Sequence, residues 1–140
     1  MDKISQRDML AHAKEIATKA HEGQVDKGGS PYINHPIWVS NYVEGEIEKI
    51  TAMLHDVVED TPWTIEDLRK EGFGEDILAA VDLLTRREGQ VYLDYVRGAK
   101  INPIARAVKL ADLAHHLHRA ESLSESHKER YIKAKEILEN

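Results

Sequence analysis

The spacing of hydrophobic and polar residues is helical along almost the whole chain. In the first amphipathic stretch the apolar residues recur three or four positions apart, at Met9, Leu10, Ala13, Ile16, Ala17 and Ala20. This spacing predicts a helix over residues 3–22. The stretch that follows, "GQVDKGGSPYINHP", is rich in glycine and proline, which predicts a structured loop. Pro36 suits the first turn of a second helix, over residues 36–44, which Gly45 ends.

More helices are predicted in the middle of the chain. The run "EIEKITAMLHDVVED", residues 46–60, predicts one continuous helix, which stops before Pro62 because proline disfavours helical geometry in the residue before it. Thr64, with Asp67 three residues later, predicts a capping box at the start of "IEDLRKE". The stretch "EDILAAVDLLT" is amphipathic again. For "QVYLDYVRGA" we favour a helix, although its β-branched and aromatic residues leave a short strand open.

Two longer helices are predicted in the last third of the chain. Asn102 and Pro103 start "IARAVKLADLAHHLHRAE", and Ser124 or Ser126 caps "SESHKERYIKAKEILE". The sequence contains no internal repeat, low-complexity segment or interior linker, and its 140 residues are enough for one domain with a hydrophobic core. We therefore predict a single compact all-α domain over residues 1–140.

Composition and charge argue against several classes of protein. The formal net charge of −6 is unlike that of a general nucleic-acid-binding protein, whose surface is usually basic, but it allows a small anionic ligand. The absence of cysteine excludes disulfides and thiolate metal sites. The start "MDKISQRDML" lacks a signal-peptide pattern, and no apolar run reaches the roughly 20 residues that span a membrane. We expect a cytoplasmic protein without membrane contact; the oligomeric state stays open, and a homo-oligomer is allowed.

The heptapeptide "LHDVVED" carries the most unusual chemistry. It places His55, Asp56, Glu59 and Asp60 at the end of an apolar helix, where carboxylates repel one another and oppose the helix dipole. A solvated acidic helix end is one interpretation, and a cation site is the other. Because the residues around His55 and Asp56 should be buried, and buried charges are usually paired or bound to metal, we favour the cation site.

Two distant residues are candidates for further ligands. His35 stands between a loop and a helix in "PYINHP", where a single histidine is more often a cap or a core residue. Asp112 interrupts the apolar face of "AVKLADLA" and needs a partner, for which Lys109 is the simple choice. Together with His55 and Asp56 they offer two imidazoles and two carboxylates, a donor set that suits Mn²⁺, Fe²⁺, Co²⁺ or Zn²⁺ better than Ca²⁺.

The order of these residues resembles that of a known family. The pattern H…HD…D is similar to that of the HD-domain metal-dependent phosphohydrolases. The stretches "AHEGQVDKGGSPYINHP", "LHDVVEDT", "FGEDILAAVDLLT" and "VKLADLAHH" resemble the hydrolase domain of the Rel/Spo family and its stand-alone small alarmone hydrolases. The dipeptide HD alone is weak, but HDxxED preceded by PYxxHP and followed by VKLAD is a specific combination. The resemblance runs from about His12 to about Arg119.

The resemblance implies a helical HD-domain fold and a hydrolase of nucleotide polyphosphates. It implies Mn²⁺ as the divalent metal, held by His35, His55, Asp56 and Asp112. Glu59 and Asp60 would act beside the metal as the acid/base pair, managing the proton of an activated water molecule. The family cleaves the bond between a nucleoside and its 3′-diphosphate, as in guanosine 3′,5′-bis(diphosphate), and releases pyrophosphate.

The departures from the family concern nucleotide recognition. Asp26 stands where many relatives carry an arginine that stacks on guanine, and only Lys27 keeps that pattern. His116 replaces an asparagine four residues after Asp112. The base therefore stays open: an adenine alarmone, another nucleotide or a phosphorylated cofactor could be the substrate instead. Two further hypotheses involve no catalysis: an HD domain that binds a nucleotide or a protein partner and, last, a purely structural helical module.

A polyphosphate substrate requires positive charge near the metal. The candidates are Lys27, Arg86, Arg87, Arg106 and Lys109, and for each of them a solvated helix face is the competing interpretation. Lys27 and Lys109 are the preferred substrate-binding residues because they lie within the matched motifs, with His116 as a further polar contact or ligand. Tyr32 is either a core residue or part of a pocket wall, and we favour the core; we expect His115 and His118 to belong to a partly exposed histidine cluster.

Overall fold

The computed structural model describes residues 6–119 and 123–140, and within these ranges the backbone is helical with short connections. The helices are α1 (Gln6–Ala20), α2 (Asn34–Tyr42), α3 (Glu46–Leu54), α4 (Val57–Asp60), α5 (Ile65–Lys70), α6 (Glu75–Leu83), α7 (Tyr92–Lys100), α8 (Pro103–His118) and α9 (Glu125–Glu139). None of the described helices is long and apolar enough to cross a membrane.

Helix α3 lies at the centre of the fold. It packs against α1, α2, α6 and α8, and its residues Ile50, Ala52, Met53 and Leu54 are almost completely buried. One face of α3 shares a core with α1, α5 and α6, whereas Ala52 faces a second core formed with α2, α6 and α8. A helix with apolar residues on several faces is expected to be buried in this way.

Helix α8 is the second central element, and it brings Asp112 close to the end of α3. Its small residues Ala105, Val108 and Ala111 pack in the core that α2, α3 and α6 share. Small side chains allow two helices to approach closely, which shortens the distance between polar residues on their facing sides. Leu113 turns towards a third core, formed with α7 and α9.

Most predicted elements are confirmed, with shifted ends. The first helix begins at Gln6 among the described residues, and residues 3–5 of the prediction lie outside them. Residues 92–100 form helix α7 rather than a strand. The capping box of Thr64 and Asp67 is present, and the side chains of Asn102 and Ser124 cap α8 and α9. These caps were predictable because they depend on residues only two or three positions apart.

The continuous helix predicted over residues 46–60 is wrong. The chain forms a turn at His55 and Asp56, which separates α3 from α4, and Asp56 has φ −103° and ψ −4°. The Nδ1 atom of His55 contacts the Ala52 carbonyl oxygen at 2.5 Å, so a side chain occupies a carbonyl near the end of α3. The turn brings His55 Nε2 within 3.1 Å of Asp56 Oδ2, although adjacent residues of a regular helix point about 100° apart.

Candidate active site

Three segments of the chain bring four predicted ligands together. His35 lies in the first turn of α2, His55 and Asp56 form the turn between α3 and α4, and Asp112 lies in α8. All four are buried, with exposed fractions of 6%, 3%, 8% and 5% in that order. We call these four residues the metal cluster.

The donor atoms of the metal cluster converge. His35 Nε2 lies 2.8 Å from Asp112 Oδ1 and 3.7 Å from Asp56 Oδ2. His55 Nε2 lies 3.1 Å from Asp56 Oδ2 and 3.6 Å from Asp112 Oδ1. Each imidazole nitrogen therefore faces both carboxylates, which is the arrangement that a shared cation requires.

The protonation of His55 fits a metal ligand. A carbonyl oxygen can only accept a hydrogen bond, so the contact with Ala52 places the proton on Nδ1 and leaves a lone pair on Nε2. This Nε2 is buried and has no hydrogen-bond partner among the described residues. Burial alone would lower the pKa of His55, but the charges of Asp56 and Asp112 raise it well above its ordinary value. This raised pKa keeps a second proton on Nε2, between the two carboxylates, while no metal is bound, and a divalent cation would replace that proton.

His35 is supported from behind by His115. The two Nδ1 atoms lie 2.6 Å apart, and the His115 ring stacks between His35 and Trp38 with centroid distances of 4.9 and 4.5 Å. Burial, reinforced by the charge of His35, lowers the pKa of His115 to about 4. A neutral His115 can accept a hydrogen bond from the Nδ1–H of His35, which makes Nε2, the nitrogen 2.8 Å from Asp112 Oδ1, the one that would face a cation. The prediction of a partly exposed His115 is thus wrong, whereas His118 is exposed as expected.

Lys109 holds Asp112 in place. Its ammonium group lies 2.8 Å from Asp112 Oδ2, and the residue is 8% exposed, with the rings of Tyr92 and Tyr95 beside it. Burial alone would raise the pKa of Asp112, but Lys109 holds it well below its ordinary value. Because the Lys109 charge is neutralised by Asp112, the structure favours a role for Lys109 in positioning Asp112. The sequence instead predicts a direct contact with the substrate.

Tyr32 orients Asp56. Its hydroxyl group donates a hydrogen bond of 2.7 Å to Asp56 Oδ2, and burial with the charge of Asp56 raises the pKa of the phenol far above its ordinary value. The expectation that Tyr32 lies in the core is wrong: the side chain is half-buried and lines a cavity beside His35. A buried carboxylate needs such a donor. Local spacing in the sequence does not identify this one, because Tyr32 is 24 residues away from Asp56.

Glu59 and Asp60 lie one helical turn beyond the ligands, on α4. Oxygen atoms of Asp56, Glu59 and Asp60 all lie within 4.8 Å of one another. Partial burial raises the pKa of Glu59 and of Asp60, and the charge of Asp56 adds to both shifts. A carboxyl group with a raised pKa exchanges protons closer to neutral pH, as an acid/base catalyst requires.

A depression of about 670 Å³ opens beside these two carboxylates, and we call it the carboxylate cleft. Arg86 and Arg87 also line it, and the Arg86 backbone N–H donates a hydrogen bond of 2.6 Å to Glu59 Oε1. These two arginines, for which a solvated helix face was the competing interpretation, thus lie next to Glu59 and Asp60. Arg106, another candidate for substrate charge, is not among the residues that line this cleft.

A second depression of about 300 Å³, the aromatic cavity, adjoins the metal cluster at His35. Its walls include Tyr32, Tyr131, Lys27, His116, Asp26 and Arg119. Asp26 forms an ion pair of 3.1 Å with Arg119, and backbone N–H groups of Ser30 and Gly28 help to hold the pKa of Asp26 below its ordinary value. The cavity therefore contains a guanidinium group, although position 26 is an aspartate.

The position of His116 is compatible with both roles predicted for it, a polar contact to the substrate and a further metal ligand. Its Nε2 is 3.4 Å from Asp112 Oδ1, and its ring stacks on Tyr131 with a centroid distance of 5.1 Å. The donor atoms of His35, Asp112 and His116 are close enough together to share a cation. The side chain is 37% exposed and also lines the aromatic cavity, so it can contact a ligand there.

Comparison with known families agrees with this geometry. The model of the HD-domain family matches residues 13–139, which include all four residues of the metal cluster. The chain belongs to the HD-domain family. The predicted all-α HD-domain fold is confirmed, and the family's metal chemistry agrees with the donor set of the cluster.

Curated relatives of this HD domain are much longer proteins. It is 35% identical over 139 residues to a guanosine-3′,5′-bis(diphosphate) 3′-pyrophosphohydrolase of Haemophilus influenzae, a match that covers 89% of the chain and 20% of that relative. It is 32% identical to the bifunctional (p)ppGpp synthase/hydrolase SpoT of Escherichia coli K12, over 93% of the chain and 20% of the relative. The HD domain thus spans about a fifth of the length of these relatives, and the predicted resemblance to the Rel/Spo family is confirmed.

A solved structure covers almost the whole HD domain. It is described as a metazoan ortholog of SpoT that hydrolyzes ppGpp, and it matches with a TM-score of 0.75 and 25% identity. The match covers 99% of this chain and 86% of the other. The arrangement of helices is therefore shared along the full length of the HD domain.

One supporting histidine was missed in the sequence. His21 is 2% exposed, and its Nδ1 lies 2.9 Å from Gln24 Oε1, while Gln24 Nε2 donates to the Asp60 carbonyl oxygen at 3.1 Å. The His21 ring also packs on Tyr32, with 5.0 Å between centroids. Both residues belong to the stretch "AHEGQVDKGGSPYINHP" that resembles the family, but a histidine and a glutamine three residues apart at a helix end are too common to indicate a role.

Proposed function

We propose that this HD domain is a metal-dependent pyrophosphohydrolase that removes the 3′-diphosphate of a nucleotide such as guanosine 3′,5′-bis(diphosphate). One observation carries the proposal: two imidazole nitrogens and two carboxylates converge at a buried point, and His55 Nε2, which faces both carboxylates, makes no hydrogen bond among the described residues. The names of the relatives support the substrate class, since several are 3′-pyrophosphohydrolases of this nucleotide.

Mn²⁺ is the metal that we propose. The ligands would be His35, His55, Asp56 and Asp112, and His116 lies close enough to His35 and Asp112 to share a cation with those two. A mixed set of imidazole and carboxylate donors suits Mn²⁺ and its neighbours in the first transition series. A divalent metal in this position would supply Lewis-acid chemistry, polarising a phosphoryl oxygen and lowering the pKa of water.

Glu59 and Asp60 are proposed as the acid/base pair. The Arg86 N–H donates to the Glu59 carboxylate and Gln24 donates to the Asp60 main-chain carbonyl, so the Glu59 carboxyl group and the Asp60 main chain start from fixed positions. One carboxylate accepts a proton from the attacking water molecule, and the other can return a proton to the oxygen of the leaving group. Their proximity to Asp56 keeps both steps within a few ångströms of the metal cluster.

The two depressions suit the two parts of a nucleotide. The aromatic cavity has the aromatic walls Tyr32 and Tyr131 for a base or ribose, with the charges of Lys27 and Arg119 at its edge. The carboxylate cleft has Arg86 beside the acid/base pair, where phosphate groups need positive charge. We propose that the nucleoside binds in the cavity and the phosphates extend towards the cleft.

A second candidate substrate is a nucleotide with a different base. The position of Asp26 favours this second candidate. Its carboxylate lies in the aromatic cavity and forms an ion pair of 3.1 Å with Arg119. The hydrogen-bonding groups offered to a base therefore differ from those of an arginine at position 26. Cytoplasmic location and the absence of nucleic-acid partners remain predictions from the sequence, and the oligomeric state stays open.

Turnover of a nucleotide panel tests the function. Purified protein with Mn²⁺ is expected to release pyrophosphate from guanosine 3′,5′-bis(diphosphate), or from its adenine counterpart if the second candidate is correct. Asp56→Asn removes a ligand charge, so turnover should fall at least about a hundredfold. Asp94→Asn removes an exposed carboxylate on α7 and should leave turnover unchanged. Absence of product from every nucleotide with Mn²⁺ bound would contradict the proposal.

A further inference from the structure

The hydroxyl group of Tyr92 is buried without a partner. Tyr92 is the first residue of α7 and is 9% exposed, and its Oη atom makes no hydrogen bond among the described residues. Tyr95, one turn later, shows the usual arrangement, because its hydroxyl group donates to the Leu84 carbonyl oxygen at 2.9 Å. A buried hydroxyl group without a partner is unfavourable, so Tyr92 Oη is a candidate for contact with a ligand.

Three cationic groups surround the Tyr92 ring, and each comes from a different part of the fold. The guanidinium carbon of Arg130, on α9, lies 4.2 Å from the ring centroid. The guanidinium carbon of Arg86, in the loop before α7, lies 5.3 Å from it, and the ammonium nitrogen of Lys109, on α8, lies 5.7 Å from it. Chain segments far apart in sequence thus concentrate positive charge around the ring that carries this hydroxyl group.

Two of these three charges lack a carboxylate. Lys109 is neutralised by Asp112 at 2.8 Å. Arg130 and Arg86 form no ion pair within the described part of the chain, and the Arg86 side chain donates instead to the Gln90 carbonyl oxygen at 3.1 and 3.0 Å. Like charges held near one another repel, and an anion placed between them would remove that repulsion. Both arginines are exposed, so their side chains can rotate towards such an anion.

This group of residues adjoins the carboxylate cleft. Arg86 lines that cleft, and its backbone N–H binds Glu59. Arg130 also lies 5.8 Å from the ring centroid of Tyr131, which is part of the wall of the aromatic cavity. An anion bound at Tyr92 would therefore lie close to the acid/base pair and to the proposed nucleotide site.

We propose that Tyr92, Arg86 and Arg130 form a binding site for a phosphate or diphosphate group, in which the tyrosine hydroxyl donates to a phosphate oxygen and the two guanidinium groups neutralise the charge. Guanidinium groups bind phosphate oxygens through paired N–H donors, and a charged acceptor roughly doubles the strength of a hydrogen bond. The group comes either from the substrate or from free pyrophosphate. The first source rests on the proposed function, whereas binding of the anion does not.

Calorimetric titration with inorganic pyrophosphate tests the site. The full chain is titrated in the presence of a chelator, so that the metal cluster does not contribute, and again with Mn²⁺. Tyr92→Phe removes only the hydroxyl group, and Arg130→Gln and Arg86→Gln each remove one charge. Each substitution is expected to weaken pyrophosphate binding about tenfold, since a hydrogen bond to a charged group stabilises by roughly that factor.

Matched controls separate the site from general effects of charge and folding. Arg97→Gln removes an exposed arginine on the same helix, where it pairs with Asp94, and Tyr42→Phe removes the hydroxyl group of an exposed tyrosine. Both should bind pyrophosphate as the unsubstituted protein does, and circular dichroism verifies the fold of all variants. The proposal is overturned if the unsubstituted protein binds no pyrophosphate with or without Mn²⁺, or if the three site variants bind like the controls.

Steady-state kinetics distinguishes the two sources of the phosphate. If the substrate occupies the site, Tyr92→Phe raises KM for the nucleotide while kcat changes less. If free pyrophosphate occupies it, KM is unchanged and product inhibition by pyrophosphate weakens. Either result supports the site. A protein that hydrolyses no nucleotide but loses pyrophosphate binding on Tyr92→Phe would disprove the proposed function and leave the phosphate site standing.

Discussion

In His55, one contact with the backbone determines which ring nitrogen faces the other residues of the metal cluster. The Ala52 carbonyl oxygen accepts a hydrogen bond from Nδ1–H, so Nε2 is the ring nitrogen that faces Asp56 and Asp112. His115 does the same for His35, and Tyr32 fixes the carboxylate of Asp56. Groups that orient metal ligands in this way raise metal affinity because the ligands lose little freedom on binding.

Removal of the Tyr32 hydroxyl group should therefore weaken metal binding. Tyr32→Phe keeps the ring packed on His21 but removes the hydrogen bond of 2.7 Å to Asp56. We expect the affinity for Mn²⁺, measured by calorimetry, to fall about tenfold, the lower end of the range for residues that orient metal ligands. Tyr42→Phe, at an exposed position, is the control and should bind Mn²⁺ normally. Equal affinities in the two variants would show that Tyr32 does not position Asp56.

At the scale of residues, the sequence predicts the candidate metal ligands better than the residues that orient them. His35, His55, Asp56 and Asp112 come together as the motif order implied. The supporting contacts of Tyr32 and His115 were misjudged, because they join residues 24 and 80 positions apart. Local spacing carries no information about such partners, since it reports which face of a helix is buried and not what that face meets.

Among the elements, the break between α3 and α4 has the largest effect on the site. Because of the break, the side chains of His55 and Asp56 point the same way, and both contribute donor atoms to the metal cluster. Hydrophobic periodicity does not reveal it, because the apolar spacing runs on through the turn and the break depends on side-chain contacts. Caps are different, since a residue and its partner lie within one helical turn, and those of α5, α8 and α9 were predicted from the sequence.

The capping box of α5 gives a quantitative expectation. In Thr64→Ala the Asp67 N–H loses its acceptor, and the free energy of unfolding should fall by about 1 kcal/mol. Urea denaturation measures this change. Thr18→Ala, in the exposed interior of α1, is the matched control and should change stability by less than about 0.5 kcal/mol. If both variants unfold at the same urea concentration, the cap contributes nothing to stability.

On the scale of the whole molecule, the metal cluster ties together segments from opposite ends of the sequence. His35 belongs to α2, His55 and Asp56 to the centre, and Asp112 to α8. The all-α class and the order of the helices could be predicted, because both follow from local periodicity. The packing of α8 beside α3 could not be read from periodicity, and only the resemblance to the HD-domain family indicated that these residues would meet.

Mn²⁺ titration of the purified chain, with unfolding temperature as a second readout, tests the metal cluster most directly. We predict one tightly bound Mn²⁺ per chain and, at a free concentration about 100 times Kd, an increase in stability of about 2.7 kcal/mol. Asp56→Asn should lose both effects, whereas Asp94→Asn, which removes an exposed carboxylate, should keep them. A chain that binds no Mn²⁺, or an Asp56→Asn variant that binds it as tightly as the unsubstituted protein, would contradict the account.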